Sequence, residues 1–124
     1  MGYEGKYLNM MNQWLILQQE GKGIDRYLQK HGYDVIAVYG MAIYGRHVIR
    51  ELQESDIKIL YGIDRKEMEP YKNIKVLQPT KEMVYVDAII NTVLHEHEDI
   101  KASLAEITDS PVISLEDIIF ESYD

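Results

Sequence analysis

The chain has 124 residues, no cysteine and a formal net charge of −8 at pH 7, which fits one domain but not a dinucleotide-binding domain joined to a separate substrate domain. The acidic balance argues against nucleic acid as a partner, and the missing thiols exclude disulfides, thiol catalysis and thiolate metal sites. Because no long apolar run and no secretory signal occur, we expect a cytoplasmic protein without membrane insertion.

The N-terminal third of the chain predicts two helices. Residues 6–20, KYLNMMNQWLILQQE, have apolar side chains near the 3.6-residue period, and these predict one buried face made of Leu8, Met11, Trp14, Leu15 and either Leu17 or Gln18. Residues 24–32, IDRYLQKHG, predict a second, shorter helix that ends at Gly32. We assign residues 1–33 to an N-terminal helical segment, packed on the sheet of the domain or at a dimer interface.

From Tyr33 onward, short apolar runs alternate with helical stretches. The runs predict five strands: DVIAVYG (34–40), IKILYGI (57–63), IKVLQP (74–79), VDAIINTV (86–93) and PVISL (111–115). Helices are predicted for AIYGRHVIRELQES (42–55), EHEDIKASLAEI (96–107) and SLEDIIFESY (114–123). Between strands three and four, TKEMVY leaves room for about one helical turn.

Two of these helices carry more detailed predictions. In the first, the side chains expected to face the sheet are Ile43, Val48, Ile49 and Leu52, and those expected to face water are Arg46, Arg50 and Glu51. In the last, Ser114 and Asp117 match a capping box.

Strands that alternate with helices pair in parallel through right-handed crossovers. The chain therefore predicts an α/β fold, a three-layer doubly wound sheet of five parallel strands in the order 3-2-1-4-5, with the N-terminal helices as a lead-in. In such a sheet, ligands bind at the carboxyl ends of the strands where the strand order reverses, here strands one and four.

The turn after the first strand, VYGMAIYGRH (38–47), resembles the G-x-G-x-x-G turn that holds a pyrophosphate on a helix N-terminus. Gly40 and Gly45 stand at the first and third glycine positions, and Ala42 replaces the middle glycine with one extra methyl group. The predicted ligand-binding residues of this turn are Gly40, Met41, Ala42, Ile43, Tyr44 and Gly45. A glycine turn kept only for packing is the alternative.

Four polar residues are predicted to face the same opening. Asp64 ends the second strand and follows Gly40 by 24 residues, near the ~20-residue spacing of the acid that binds a ribose. Arg65 favours a phosphate instead, so the choice between NAD, NADP and a nucleotide sugar stays open. Asn91 and Thr92, after the fourth strand, suit a diphosphate or a ribose hydroxyl. Equally, all these polar groups satisfy turn and loop backbone in many proteins.

The sequence gives little support for a metal site or for a complete set of catalytic residues. HEHE (95–98) puts His95 and His97 only two residues apart with no other His nearby, which favours a solvated helix start over a metal site. The motifs G-x-x-x-x-G-K-[ST], G-x-S-x-G and H-E-x-x-H do not occur. We therefore expect no metal, and no complete enzyme in this chain alone.

Several segments in this order resemble the small Rossmann-like, NAD(P)-binding-type domains of bacterial polysaccharide and capsule biosynthesis proteins. They are LNMMNQWLILQQEGKGIDRYLQKHGY, VIAVYGMAIYG, YGIDR, VDAIINT and VISLEDIIFE. The chain is also similar to the N-terminal domain of sugar acetyltransferases. The resemblance implies that residues 34–124 form a Rossmann-like nucleotide-binding domain, with NAD(P) or a nucleotide sugar on Gly40, Gly45 and Asp64.

The resemblance also implies a role as an accessory or partial unit in surface polysaccharide synthesis. If the protein is an enzyme, the resemblance implies that it modifies nucleotide sugars, as dehydrogenases and epimerases do. The N-terminal helices would then join a homodimer or a glycan-synthesis partner protein. The alternative is a non-catalytic interaction or dimerisation module whose nucleotide crevice is vestigial and empty.

Overall fold

The computed structural model describes residues 3–122, with side chains described from residue 5 onward. The helices are α1 (Tyr3–Gln19), α2 (Ile24–Lys30), α3 (Ile43–Leu52), α4 (His97–Ala105) and α5 (Leu115–Glu121). The strands are β1 (Val35–Tyr39), β2 (Lys58–Ile63), β3 (Val76–Leu77), β4 (Ala88–Asn91) and β5 (Val112–Ser114). A single 3₁₀ turn, Leu94–Glu96, leads into α4. The part of the last predicted helix beyond Ser122 lies outside the described residues.

All five strands are parallel, and their order is β3-β2-β1-β4-β5. The predicted α/β architecture with a doubly wound five-stranded sheet is therefore confirmed. The strands end level with one another, because Tyr39 pairs with both Ile63 and Asn91, Ile63 pairs with Leu77, and Asn91 pairs with Ser114. These last residues of the strands form the carboxyl edge of the sheet, and the strand order reverses there between β1 and β4.

The two faces of the sheet are covered unequally. Helices α1, α2, α3 and α5 share one apolar cluster with β1 and β4, whose largest members include Met10, Trp14, Leu17, Leu28, Ile49 and Ile90. The opposite face is covered by α4 and by the segment around Met83 and Val86, in a smaller cluster. Helices on both faces give three layers, and burial of these side chains is the main term that stabilises the sheet.

The buried face of α1 differs from the prediction. Met10, Trp14 and Leu17 are buried, whereas Leu8 is 73% exposed and Leu15 is 52% exposed. The prediction that Leu8 and Leu15 face the core is wrong. The helix has apolar residues on two sides. The side formed by Met10, Trp14 and Leu17 packs into the apolar cluster that α1 shares with α5.

The sheet-facing prediction for α3 holds for three of four residues. Val48, Ile49 and Leu52 are fully buried, but Ile43 is 68% exposed because it lies in the first turn, at the carboxyl edge. Glu51 does not simply face water, as predicted. Its carboxylate accepts from the indole N–H of Trp14 at 2.8 Å, the main-chain N–H of Ile24 at 2.7 Å, and the Gln18 amide.

The two connections between β2 and β4 contain no helix. The segment between β2 and β3 closes on a bridge between Tyr71 and Ile74. The segment before β4 has a hydrogen-bonded turn at residues 81–82, where the sequence leaves room for about one helical turn. Ser114 is the N-cap of α5 but accepts from the N–H of Glu116 at 3.2 Å, not from that of Asp117 as a capping box requires.

Within residues 3–122, no helix has the length and apolar character to cross a membrane.

Candidate functional site

The turn between β1 and α3 needs glycine at its first position. Gly40 has φ = +90°, in the region that side chains with a Cβ rarely adopt. A Cβ added there would lie 2.6 Å from Thr92 Oγ1 and 2.8 Å from Val93 Cγ2. Both the backbone conformation and the close approach of the loop after β4 therefore require Gly40.

The third glycine position is required by packing of the helix on the turn. A Cβ at Gly45 would overlap the carbonyl oxygen of Gly40. The helix therefore sits directly against the turn that precedes it, which is the role of this glycine in a dinucleotide fold. The two glycines are thus explained by the protein's own geometry, with or without a ligand.

The first turn of α3 offers unpaired donors. Ala42 is the N-cap, with φ = −84° and ψ = −148°, and no side chain caps the helix. The N–H groups of Ala42, Ile43 and Tyr44 have no hydrogen-bond acceptor within residues 3–122. Ala42 and Ile43 are exposed. Free N–H groups at a helix N-terminus attract an anion, since the helix dipole places partial positive charge there.

Met41 contributes to the turn but has no free group for a ligand. Its side chain is buried, and a Cβ at Gly62 would lie 2.8 Å from its sulfur. Its main-chain N–H donates to Asp64 Oδ2 at 2.9 Å, and Asp64 Oδ1 accepts from the N–H of Lys66 at 2.9 Å. The carboxylate of Asp64 thus joins the end of β2 to the turn after β1.

Arg65 lies across the end of β1. Its Nε donates to the hydroxyl of Tyr39 at 3.2 Å, and its side chain is exposed. This hydrogen bond, helped by the charges of Glu96 and Asp99, raises the pKa of the Arg65 guanidinium. The positive charge of Arg65 therefore lies at the carboxyl end of β1, held by the hydroxyl of Tyr39.

The polar residues at the end of β4 are engaged within the protein. Asn91 is fully buried; its Oδ1 accepts from the N–H of Val93 at 2.9 Å, and its Nδ2 lies 3.2 Å from Val93 O and 2.9 Å from His97 Nδ1. Thr92 Oγ1 lies 2.8 Å from the carbonyl oxygen of Tyr39 and 2.9 Å from that of Gly40. These contacts match the alternative in which both side chains satisfy loop backbone.

The two histidines after β4 have separate partners. His95 Nδ1 lies 2.8 Å from the hydroxyl of Tyr7 and His95 Nε2 lies 3.5 Å from Glu96, while His97 contacts Asn91. Among the described residues, no group of three or more His, Asp or Glu side chains is placed to hold a metal ion.

Sequence reasoning missed two tyrosines, Tyr39 at this edge and Tyr71 beside α3. Tyr39 holds Arg65, but its place in an apolar strand gave no signal of this. Tyr71 precedes Lys75 by four residues, the Tyr-x-x-x-Lys spacing of short-chain dehydrogenases. These two residues flank a tight turn instead of sharing a helix face, and the Tyr71 ring lies 5.1 Å from the Arg46 guanidinium. The spacing therefore carries no catalytic meaning here.

The fold and the turn define a Rossmann-like α/β domain. A scan against models of protein families found no match. Searches of curated proteins and of solved structures found no significant match either.

Proposed function

We propose that the carboxyl edge between β1 and β4 binds the phosphate and ribose of a nucleotide, either NAD(P) or a nucleotide sugar. The domain then acts as an accessory or partial unit in bacterial surface polysaccharide synthesis. The observation that carries the proposal is the uncapped N-terminus of α3, with the free N–H groups of Ala42, Ile43 and Tyr44 at the switch point of the sheet. Phosphate groups bind such positions without any basic side chain.

Ala42 limits the approach of the phosphate but does not distort the turn. Its φ of −84° is ordinary for a residue with a side chain. Its methyl group therefore requires no backbone strain and only adds bulk on the exposed side of the turn. A phosphate bound to the N–H groups of residues 42–44 would sit farther from the turn than it would with glycine at position 42.

Asp64 supplies the acceptor that a ribose requires. Each carboxylate oxygen has two lone pairs and uses one of them on a main-chain N–H, which leaves one on each oxygen for a ribose hydroxyl. The neighbouring charge of Arg65 suits a phosphate on the ribose or at the sugar end of the ligand. The same two residues thus favour a ligand that carries both hydroxyls and phosphates.

We propose a binding unit instead of a complete enzyme, because the polar groups of Asn91 and Thr92 are already hydrogen-bonded within the protein. A catalytic base or acid on the β4 side of the crevice would need a free polar atom at this position. The reaction class, if a partner completes the site, would be modification of a nucleotide sugar.

Binding is tested by following the melting temperature of the chain with NADH, NADPH, UMP and a UDP-sugar at saturating concentrations. A bound ligand raises the melting temperature in proportion to the logarithm of its concentration over Kd. Asp64→Asn is expected to abolish this rise. The matched control is Asp87→Asn, because Asp87 also accepts two main-chain N–H groups, those of Asp34 and Val35 at 3.0 Å, but at the opposite edge of the sheet.

The proposal predicts that Asp87→Asn lowers the melting temperature of the free chain and leaves the ligand-induced rise intact. No rise with any of the four ligands would overturn it. Equal loss of the rise in both variants would overturn the assignment of Asp64.

The second candidate function is an interaction or dimerisation module, and the exposed stripe of α1 favours it. Leu8 and Leu15 border a groove of about 420 Å³ whose lining includes Met11, Trp14 and His47. Exposed apolar grooves of this kind are common at protein interfaces. The combined variant Leu8→Gln and Leu15→Gln is expected to lower the mass of the particle in solution, measured by light scattering. Val84→Gln, at an exposed position on another segment, is the control; an unchanged monomer mass throughout would eliminate this candidate.

A further inference from the structure

A cleft of about 240 Å³ lies between α2 and the C-terminal end of α5, away from the crevice described above. Helix α5 begins at the carboxyl edge, directly after β5, and runs away from it, while His31 lies shortly before β1 begins. The cleft is therefore on the side of the opposite edge of the sheet. The side chains that line it and carry the argument are Lys22, Arg26, Tyr27, Lys30, His31 and Glu121.

Three cations line one side of this cleft at intervals of four residues. Arg26 and Lys30 lie one turn apart on the same side of α2, and Lys22, in the segment before the helix, lines the same cleft. Lys22 reaches Glu20 only at 4.0 Å, and both side chains are largely solvated. Arg26 and Lys30 form no ion pair with any residue between positions 5 and 122. Among the residues that line the cleft, these three are cationic and one, Glu121, is acidic, in a chain of net charge −8.

At the two helix ends that meet at the cleft, some of the terminal carbonyl groups are hydrogen-bonded within the protein. Helix α2 ends at Lys30 with His31 as its C-cap, just before the predicted end at Gly32. Gly32, at φ = +76°, lets the N–H of Tyr33 bond to Leu28 O at 2.8 Å. The carbonyl oxygen of Ile118 accepts from the N–H of Ser122 at 3.1 Å. Hydrogen bonding of these oxygens reduces the negative potential that an uncapped helix C-terminus would present.

Tyr27 supplies a donor to the cleft, and His31 holds its ring in place. His31 Nδ1 lies 2.8 Å from the carbonyl oxygen of Tyr27, and because a carbonyl only accepts, Nδ1 donates to it. The two rings stack at a centroid distance of 4.1 Å. Burial, followed by the charge of Glu121, raises the pKa of Tyr27, which keeps its hydroxyl a donor.

We propose that this cleft binds the dianionic phosphate group of inorganic phosphate or of a phosphate monoester, contacted by Arg26, Lys30 and the hydroxyl of Tyr27. Guanidinium and ammonium groups bind phosphate oxygens through charge-assisted hydrogen bonds. The carboxylate of Glu121 opposes the ligand from the other wall and keeps the affinity weak. The proposal is independent of nucleotide binding at the carboxyl edge.

The test is a titration of the full chain with inorganic phosphate at constant ionic strength, followed by amide chemical shifts in NMR spectra. The expected result is saturable shifts centred on the amides of Gly23, Arg26 and Ser122. Arg26→Gln and Lys30→Gln are each expected to weaken binding by about two- to five-fold, the effect of one solvent-exposed ion pair. Glu121→Gln is expected to strengthen binding by a similar factor.

The matched control is Lys101→Gln, which removes an exposed cation of α4, on the opposite face of the sheet. It is expected to leave the affinity unchanged. Phenyl phosphate in place of inorganic phosphate distinguishes a monoester site, which binds both, from a site for the free ion. Shifts spread over all lysine-rich surfaces, or equal affinity in the Lys30 and Lys101 variants, would overturn the proposal. Shifts confined to residues 42–44 would also overturn it, while leaving the carboxyl-edge proposal intact.

Discussion

The main-chain N–H of Met41 donates to the carboxylate of Asp64 at 2.9 Å, across the ends of two neighbouring parallel strands. This contact fixes the position of the turn that carries the free N–H groups at the start of α3. The second oxygen of Asp64 is held by the N–H of Lys66. The carboxylate is therefore both a structural link and the acceptor that the proposed ligand would meet.

Replacement of this carboxylate changes stability as well as binding. Asp64→Asn retains one acceptor oxygen but turns the other into an N–H₂ donor, which then faces a main-chain donor. We expect a loss of about 1 to 3 kcal/mol in the free energy of unfolding. Urea denaturation measures this loss; Asp87→Asn is expected to show a smaller one, because both N–H groups bond to the same oxygen of Asp87, which asparagine retains. An Asp64→Asn variant as stable as the original chain would show that the Met41 contact is not formed in solution.

Substitution of Ala42 tests how closely a phosphate approaches the turn. Ala42→Gly removes the methyl group and is a better N-cap residue than alanine, so we expect tighter nucleotide binding and a slightly more stable chain. Ala42→Val adds bulk at the same exposed position and is expected to weaken binding. Isothermal titration with the nucleotide that gives the largest melting shift ranks the variants. The order Gly, Ala, Val from tightest to weakest is predicted; an unchanged affinity would place the ligand elsewhere.

Gly45→Ala is expected to be severely destabilising. Its Cβ would overlap the carbonyl oxygen of Gly40, which is main-chain and cannot move without breaking the turn. A loss above about 3 kcal/mol is expected for such an overlap. The comparison is Gly5→Ala at an exposed position of α1, where a Cβ meets nothing within 4 Å. That change is expected to stabilise by about 0.5 to 1 kcal/mol, because alanine is the better helix former. Equal effects of the two changes in thermal unfolding would contradict the close packing of α3 on the turn.

Tyr61 gives the chain a predictable loss of stability at alkaline pH. Its hydroxyl donates to the carbonyl oxygen of Val84 at 2.6 Å, and burial raises the pKa of Tyr61. Since the unfolded chain gives up this proton at lower pH than the folded chain, the stabilising contribution is complete below pH ~10 and is lost as pH rises through the folded pKa.

Tyr61→Phe removes both the hydrogen bond and the titration. We expect it to cost about 1 kcal/mol at neutral pH, with a smaller difference from the original chain above pH ~10. Urea denaturation at the two pH values measures both differences. Tyr85→Phe is the control, because Tyr85 is exposed. A Tyr61→Phe deficit that stays constant with pH would show that the phenol titrates alike in the folded and unfolded chains.

The sheet was predictable because each strand is a short apolar run, because helices follow β1, β4 and β5, and because β1 and β4 are buried along most of their length. The turn was predictable because Gly40 and Gly45 have a local signature. The buried stripe of α1 was not, because apolar residues lie on two sides of the helix and only the contact with α5 decides which side is buried. The role of Glu51 was equally hidden, since its three donors come from α1 and from the start of α2.

The internal use of Asn91 and Thr92 also could not be read from the sequence. Short polar side chains after a strand suit a ligand and a loop backbone equally well. The choice depends on how closely the loop after β4 approaches the turn after β1, which the 2.8 and 2.9 Å distances from Thr92 to Tyr39 and Gly40 define. That approach is a tertiary distance with no local sequence signal.

The central claim is that the free N–H groups at the start of α3 receive the phosphates of a nucleotide. The most direct measurement is an NMR titration of the isotope-labelled chain with UMP, a UDP-sugar and NADPH, read at the amides of Ala42, Ile43 and Tyr44. The account predicts saturable shifts at these amides for at least one ligand, with smaller shifts at Asp64 and Arg65. Unperturbed amides at residues 42–44 at saturating concentrations of all three ligands would contradict it.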